Sequence, residues 1–397
     1  MKKLIWPTIV VFLCNLPFSF AQDPFFTHFY GNKSFFNPSL VGLVGSTSIG
    51  ARYKSQWRHN GNPAFRTVAV SYEESLPCSF FDYGLFATMD EEGTSNFKTY
   101  DVGFRIAGTP AIKTLNTVHN LRIGMDFRWV WKTIDFNTLI FSDQLDPKYG
   151  TVDVNGVANP TAFTPPLDQQ STTAFAPAVG LTYKVLFDES DIQSPSLMVG
   201  ASYHNTLSIG NRDSGHEDSV LGLGGTVPTR WNAFAEFEWI PFYKNKVFLL
   251  IKPSIFYQQQ GDLDYWEAGV QFWRNRLISV GGYYHANSRS EVGNNAEWLS
   301  FRVETGALGG ENGRVNLGFT YATNFKGLRN FVGPTLEFSV TYHFAASPSC
   351  NLAGLENEVP YGNPKNVKCP TGVGARSKLY EDIWFDENWR PNGKFNR

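Results

Sequence analysis

Along much of the chain, apolar and polar residues alternate one by one. Residues 336–344 set Leu336, Phe338, Val340, Tyr342 and Phe344 against Glu337, Ser339, Thr341 and His343. Successive side chains on a strand point to opposite faces, so this pattern predicts a strand with one face in an apolar medium and the other in a wet one. Residues 121–132 repeat it: Leu121, Ile123, Met125, Phe127, Trp129 and Trp131 interleave with Arg122, Gly124, Asp126, Arg128, Val130 and Lys132. Large apolar groups on one face and charges on the other suit a strand that crosses a bilayer around an aqueous bore. The fold class expected is all-β: a transmembrane outer-membrane β-barrel of about 14 antiparallel strands, with a periplasmic N-terminal segment and a C-terminal tail.

Candidate strands fall at 46–57, 64–75, 80–90, 96–108, 117–132, 173–186, 195–206, 229–240, 246–258, 263–273, 276–286, 296–305, 313–323 and 332–344. Periplasmic turns of such barrels are short and outer loops long. If the first strand starts in the periplasm, the inner connections are 76–79, 109–116, 187–194, 241–245, 274–275 and 306–312, all short. The two longest connections, 133–172 and 207–228, then both fall outside. That parity supports an even strand count with both ends of the barrel on the periplasmic side.

The start of the chain sets the compartment. Lys2 and Lys3 precede an apolar stretch, residues 4–13, and then Ser19, Phe20 and Ala21, which together form a secretory signal peptide cut before Gln22. Cys14 is a poor lipoprotein acceptor, since the large Leu13 stands where a small residue is required. Beyond the signal no apolar run approaches the ~18 residues of a spanning helix, so a membrane crossing must use strands. Aromatic residues make up 16% of the chain, enough for girdles at both bilayer interfaces. A net charge of -2 argues against nucleic acid and against a basic membrane-surface patch. Export permits a disulfide, and Cys350 with Cys369 would close a short loop worth ~3 kcal/mol, leaving Cys78 free. The chain thus divides into a signal peptide (1–21), an N-terminal periplasmic or lumen segment (22–45), a transmembrane barrel (46–344) and a periplasmic tail (345–397).

On the expected lumen face stand Arg52, Lys54, Glu73, Asp101, Arg105, Arg122, Asp126, Arg128, Glu236, Glu238, Arg302, Glu304, Arg314 and Glu337. Both signs are present, which favours paired charges across the bore over a strongly ion-selective pore. Phe25, Phe26, Phe29, Tyr30, Phe35 and Phe36 would be insoluble in a free segment, so the segment is expected to dock inside the lumen or along the periplasmic rim. The tail is rich in proline and carries an aromatic-acidic stretch at 380–389. Within it Tyr380, Ile383, Trp384, Phe385 and Trp389 are the candidate partner-binding residues, although the same stretch could latch back onto its own barrel.

Candidate chemistry is sparse. His28, His59, His119, His204, His216, His285 and His343 form no i,i+4 zinc pair, and no Gly-x-Ser-x-Gly elbow accompanies them. His343 is expected at the periplasmic girdle, with His59 and His285 near outer strand ends. Residues 213–218 and 90–93 lack the ligand spacing of a calcium loop and read as solvated outer turns. No catalytic, cofactor or metal residue is assigned, and the chain is expected not to be an enzyme.

A family resemblance rests on ordered motifs. Gln22-Asp23-Pro24-Phe25-Phe26-Thr27-His28-Phe29-Tyr30, followed by Phe36-Asn37-Pro38-Ser39-Leu40-Val41-Gly42, resembles the opening of the PorP/SprF family of type IX secretion outer-membrane proteins. Arg52-Tyr53-Lys54-Ser55-Gln56-Trp57 is similar to the family's first strand, Arg-x-x-Gln-Trp, with one extra spacer. Phe65-Arg66-Thr67 with Ser71-Tyr72 resembles its second strand, and Asp90 and Gly93 match the Asp and Gly after its third. Ala201-Ser202-Tyr203-His204, Lys252-Pro253-Ser254-Ile255-Phe256-Tyr257 and residues 336–344 resemble later strands. The tail departs from many short members.

The resemblance implies a non-catalytic outer-membrane component of the type IX secretion and gliding machinery. Its partners would be a periplasmic ring lipoprotein, the C-terminal domain of a secreted adhesin, or both, besides outer-membrane lipid. A rival reading is a transport barrel for small solutes or hydrophobic ligands, which would need a continuous apolar path through the bore.

Overall fold

The computed structural model describes residues 26–344, except 30, 32, 43–46, 58–64, 75–80, 94–96, 109–110, 115–116, 137–138, 165–170, 188–192, 207–215, 218–225, 245–246, 262, 276, 288–295, 311–312 and 327–331. The dyad pattern forms strands β1 (Ser48–Gln56), β2 (Phe65–Glu74), β3 (Phe81–Glu92), β4 (Phe97–Gly108, continued by Ala111–Thr114) and β5 (Thr117–Thr133). After a long connection come β6 (Ser171–Phe175, continued by Ala178–Leu186) and β7 (Ser196–His204). A second long connection leads to β8 (Arg230–Lys244), β9 (Val247–Gln260), β10 (Leu263–Arg274), β11 (Ile278–Ala286), β12 (Glu297–Gly310), β13 (Gly313–Lys326) and β14 (Thr335–Phe344). Each strand pairs antiparallel with its sequence neighbours, and β1 also pairs with β14 from Ser48↔His343 to Ser55↔Leu336. The 14-stranded sheet is therefore a closed barrel with no free edge, one of the two ways a chain can satisfy its backbone within hydrocarbon.

Alternation decides what faces lipid. On β5, Ile123, Met125, Phe127 and Trp129 are exposed while Arg122, Asp126 and Arg128 are buried in the bore. On β12, Phe301 and Val303 point out and Arg302 and Glu304 point in, and on β14 the pairs are Phe338 and Val340 against Glu337 and Ser339. Because Val340 sits mid-strand on the lipid face, Val340→Arg should cost about 2–4 kcal/mol, the midplane penalty for a charge. Reversible unfolding of the variant from lipid vesicles in denaturant measures this, and an unchanged midpoint would take Val340 out of the bilayer.

Several segments that read as turns are strand. Residues 111–114 keep the β4–β5 register, so the expected turn at 109–116 is mostly ladder. β8 continues past Pro241 through an irregularity between Trp239 and Phe242, where a residue without an N–H can leave the ladder. β12 runs on to Gly310 through a similar shift between Thr305 and Leu308. β3 extends to Glu92, which makes Asp90 a strand residue facing the bore and not part of a solvated turn. The reason is common to all four: a neighbouring ladder outweighs local breaker signals.

The two long connections, 134–170 and 205–229, leave the same end of the barrel, here called the loop end. β1 begins and β14 finishes at the opposite, short-turn end.

Candidate functional site: the plugged bore and a loop finger

Residues 26–42 run through the bore. Local sequence shapes them: Lys33–Phe36 makes one helical turn, and Asn37 caps a 3-10 turn over Pro38–Leu40. The Asn37 carboxamide oxygen accepts from Ser39 N at 3.0 Å and Ser39 Oγ at 2.7 Å, while Pro38 supplies a preset φ at a position that needs no N–H. Asn37 Nδ2 then donates to the wall carbonyls of Leu181 and Ala201 at 3.3 and 3.1 Å. The turn lies directly on the barrel wall at two glycines. A Cβ on Gly124 would stand 2.3 Å from Ser39 N, and one on Gly180 would stand 2.0 Å from Asn37 Oδ1.

The segment is held by wall side chains from strands around the bore. Glu337 Oε2 on β14 accepts from Thr27 N at 2.9 Å, and Glu267 on β10 accepts from Phe29 N at 3.3 Å. Lys33 pairs with Glu236 on β8 at 3.0 Å. Ser202, Asn232 and His204 converge on Phe36 O at 2.6, 2.8 and 2.9 Å. Arg122 donates to Ser39 O at 2.7 Å and Val41 O at 2.5 Å while pairing with Asp82 at 3.0 Å. Glu73 on β2 accepts from Ser34 Oγ and from Gly42 N. A buried backbone group without a partner costs ~1–3 kcal/mol, so this array compensates the burial of an irregular segment and fixes its position.

Aromatic packing completes the seal. Phe26 and Phe35 meet edge to face at 4.9 Å, Phe29 stacks on Phe256 at 5.1 Å, and Phe36 packs on Phe256 at 4.9 Å. With Leu40, Ala69, Met198, Phe234 and Tyr265 these rings form an apolar core inside the barrel. Around it the wall charges pair with one another: Arg105 with Asp126 at 3.2 Å, Arg128 with Asp101 at 2.6 Å, Arg302 with Glu304 at 3.2 Å, and Lys252 and Lys184 with Glu238. The mixed charges of the lumen face thus serve as plug anchors and as ion pairs along the wall, between neighbouring strands in Arg105–Asp126, Arg128–Asp101 and Lys252–Glu238, across one intervening strand in Lys184–Glu238 and within β12 in Arg302–Glu304.

At the loop end, residues 141–163 stitch themselves into a finger. Phe141 and Phe163 stack at 4.4 Å, and Gln144 and Asn159 exchange hydrogen bonds with each other's backbone carbonyl at 3.0 and 2.9 Å. Three aspartates cap its turns. The Ala162 N–H, aided by the Thr161 hydroxyl, holds Asp143 below the usual carboxylate range. The N–H groups of Lys148 and Tyr149 do the same for Asp146, and those of Val157 and Asn155 for Asp153. On this frame Ile140, Leu145, Val154 and Val157 stand in water, the last two 70% and 62% exposed.

The sequence matches the family described as Type IX secretion system membrane protein PorP/SprF over residues 18–342. The chain belongs to the PorP/SprF family. No curated protein matches it. Among solved structures, Omp33 of Acinetobacter baumannii is 8% identical, with a TM-score of 0.38 over 76% of this chain and 100% of that one. The CymD monoaromatic hydrocarbon channel is 9% identical, with a TM-score of 0.39 over 82% and 95%, and the Ralstonia pickettii toluene transporter TbuX is 11% identical, with 0.39 over 78% and 92%. Likeness at that level says nothing of what this PorP/SprF protein carries or binds. Family and fold together put it in the outer membrane as part of the type IX secretion system.

Of the lumen charges expected in this PorP/SprF barrel, Lys54, Asp101, Arg105, Arg122, Asp126, Arg128, Glu236, Arg302, Glu304 and Glu337 are buried in the bore, and Arg52, Glu73 and Glu238 are half-buried. The Arg314 side chain is outside the described residues. Sequence reasoning passed over Asp82, Lys184, Lys252 and Glu267 and read Asp90 as part of a solvated turn, although each follows the same alternation as its neighbours. His343, expected at the girdle, faces the bore near Asn316 at 3.3 Å, and His285 bonds there with Tyr265 and Ser300. Phe25, Tyr30, Cys78, residues 213–215, the proposed disulfide Cys350 and Cys369, and Tyr380, Ile383, Trp384, Phe385 and Trp389 all lie outside the described residues.

Proposed function

We propose that this protein is a closed, non-catalytic anchor of the type IX machinery, which docks a secreted adhesin at its loop end and a periplasmic ring lipoprotein through its tail. The observation that carries the reading is the plug: a bore crossed by a segment bonded to its wall is poorly suited to passing solute, and its outer surfaces are what remain for function. The finger supports the outer half of the proposal, since a pre-ordered loop presenting aliphatic side chains to water loses little entropy when it binds. The tail supports the inner half through the chemistry of Trp384, Phe385 and Trp389, and it departs from Phe344 at the short-turn end.

The test is affinity purification of the tagged protein from native membranes, followed by mass spectrometry. Val154→Asp with Val157→Asp should reduce recovery of a secreted partner by about tenfold or more, the effect of losing a small apolar hot spot. The same pair should leave the heat-modifiable barrel intact, because both side chains are largely exposed on the finger. Truncation after residue 344 should remove periplasmic partners instead. Recovery of the same proteins by all three forms would overturn the docking role, and steady conductance of the unmodified protein in a planar bilayer would favour the transport alternative.

A further inference from the structure

The direction of the plug has a consequence for how the barrel is made. Thr27 meets Glu337 near the loop-end start of β14, whereas at the other end of the segment Thr47 bonds Glu74 at the last residue of β2 and then leads straight into β1. The segment therefore spans the bore from the loop end to the short-turn end before the first strand begins. Had β1 and β14 already joined, the Thr27 end of the segment would have to be drawn up the length of the bore past Arg122, Asn232 and Glu267 to reach its site.

The anchors also fall on strands far apart in sequence. Glu73 is on β2, Arg122 on β5, Ser202 on β7, Asn232 and Glu236 on β8, Glu267 on β10 and Glu337 on β14. Glu337 lies directly opposite Lys54 across the β1–β14 seam, so the residue that binds Thr27 is also a seam residue. That seam joins the two ends of the barrel sequence, the pairing with the largest loop-closure entropy in the fold. A segment covalently attached to β1 that grips β14 by a backbone hydrogen bond brings the two strands together. We propose that residues 26–42 act as the template on which the barrel seals: the plug seats on the open inner face, and β1 then pairs with β14 over an occupied bore.

Timed trapping of cross-links during refolding of the chain from Gln22 to Arg397 from urea into detergent micelles tests this, with Cys78, Cys350 and Cys369 replaced by serine. Ser39→Cys with Thr182→Cys reports plug seating, because the two hydroxyl oxygens are 2.6 Å apart. Ala51→Cys with Val340→Cys reports the seam from the lipid face, where the two are register partners. The plug cross-link is expected no later than the seam cross-link. A seam that closes first would overturn the proposal. As a second measurement, deletion of residues 26–42 should slow formation of the heat-modifiable barrel by about tenfold or more, as expected when a long-range closure loses its guide. A deletion variant that seals at the rate and yield of the full chain would make the segment a mere stopper. Both readouts use purified protein and are independent of any docking partner.

Discussion

Replacing Arg122 with methionine should loosen the plug and lower the stability of the whole barrel by about 3–5 kcal/mol, the cost of breaking a buried charge pair by removing one member. The arginine is 2% exposed and binds three things at once: Ser39 O, Val41 O and the Asp82 carboxylate. Methionine fills similar volume without donors, so two buried carbonyls lose their wall partner and Asp82 loses its guanidinium. Unfolding in denaturant, followed by tryptophan fluorescence, reads the loss. The double variant Arg122→Met with Asp82→Asn should recover part of it, because the carboxylate that faced the guanidinium is then neutral, and the remaining shortfall includes the lost contacts to the two carbonyls. Equal stability of the single variant and the unmodified protein would mean that Arg122 does not hold the plug.

The second large effect is steric. Gly124→Val and Gly180→Val each put carbon where the plug turn lies, against Ser39 and Pro38 backbone in one case and the Asn37 carboxamide in the other. At Gly124 the obstacle is backbone, which cannot rotate away as a long side chain can, and at Gly180 it is a proline ring and a carboxamide already bonded to the wall and to Ser39, so in both cases the turn must lift from the wall. Overpacking of a filled interior costs about 1–3 kcal/mol, and here the lifted turn also gives up the Asn37 bonds to Leu181 O and Ala201 O. The expected result in a planar bilayer is a change from a silent to a conducting barrel, with heat-modifiability retained. Gly282→Ala is the control, since a Cβ there meets nothing within 4 Å. Silence of both valine variants would show that the turn can be reseated without opening the bore.

Why such glycines are hard to find in a sequence is instructive. Gly124 stands between Ile123 and Met125 in a strand of strict alternation, and from the pattern alone it is simply a small inward residue. Its role comes from Ser39, which approaches from another part of the chain. Lys252 and Glu238 are similar: each was within reach of the alternation rule, but their pairing joins two adjacent strands and depends on register. The aromatic run at residues 25–36 did carry a visible signal, because such a run cannot remain in water. Which wall residues receive it carried none.

Strand number, strand faces and the short and long ends of the barrel were settled by the sequence itself, since a period of two residues and the spacing of turns are local properties. Tertiary structure alone decided that the N-terminal segment crosses the bore from the loop end to the short-turn end, and that carboxylates on β2, β8, β10 and β14 anchor it. It likewise decided that an Asn-Pro-Ser turn rests on Gly124 and Gly180. The physical reason is that these bonds join groups brought near one another only when the sheet curls and closes, and no local pattern records a closure between strands at opposite ends of the chain.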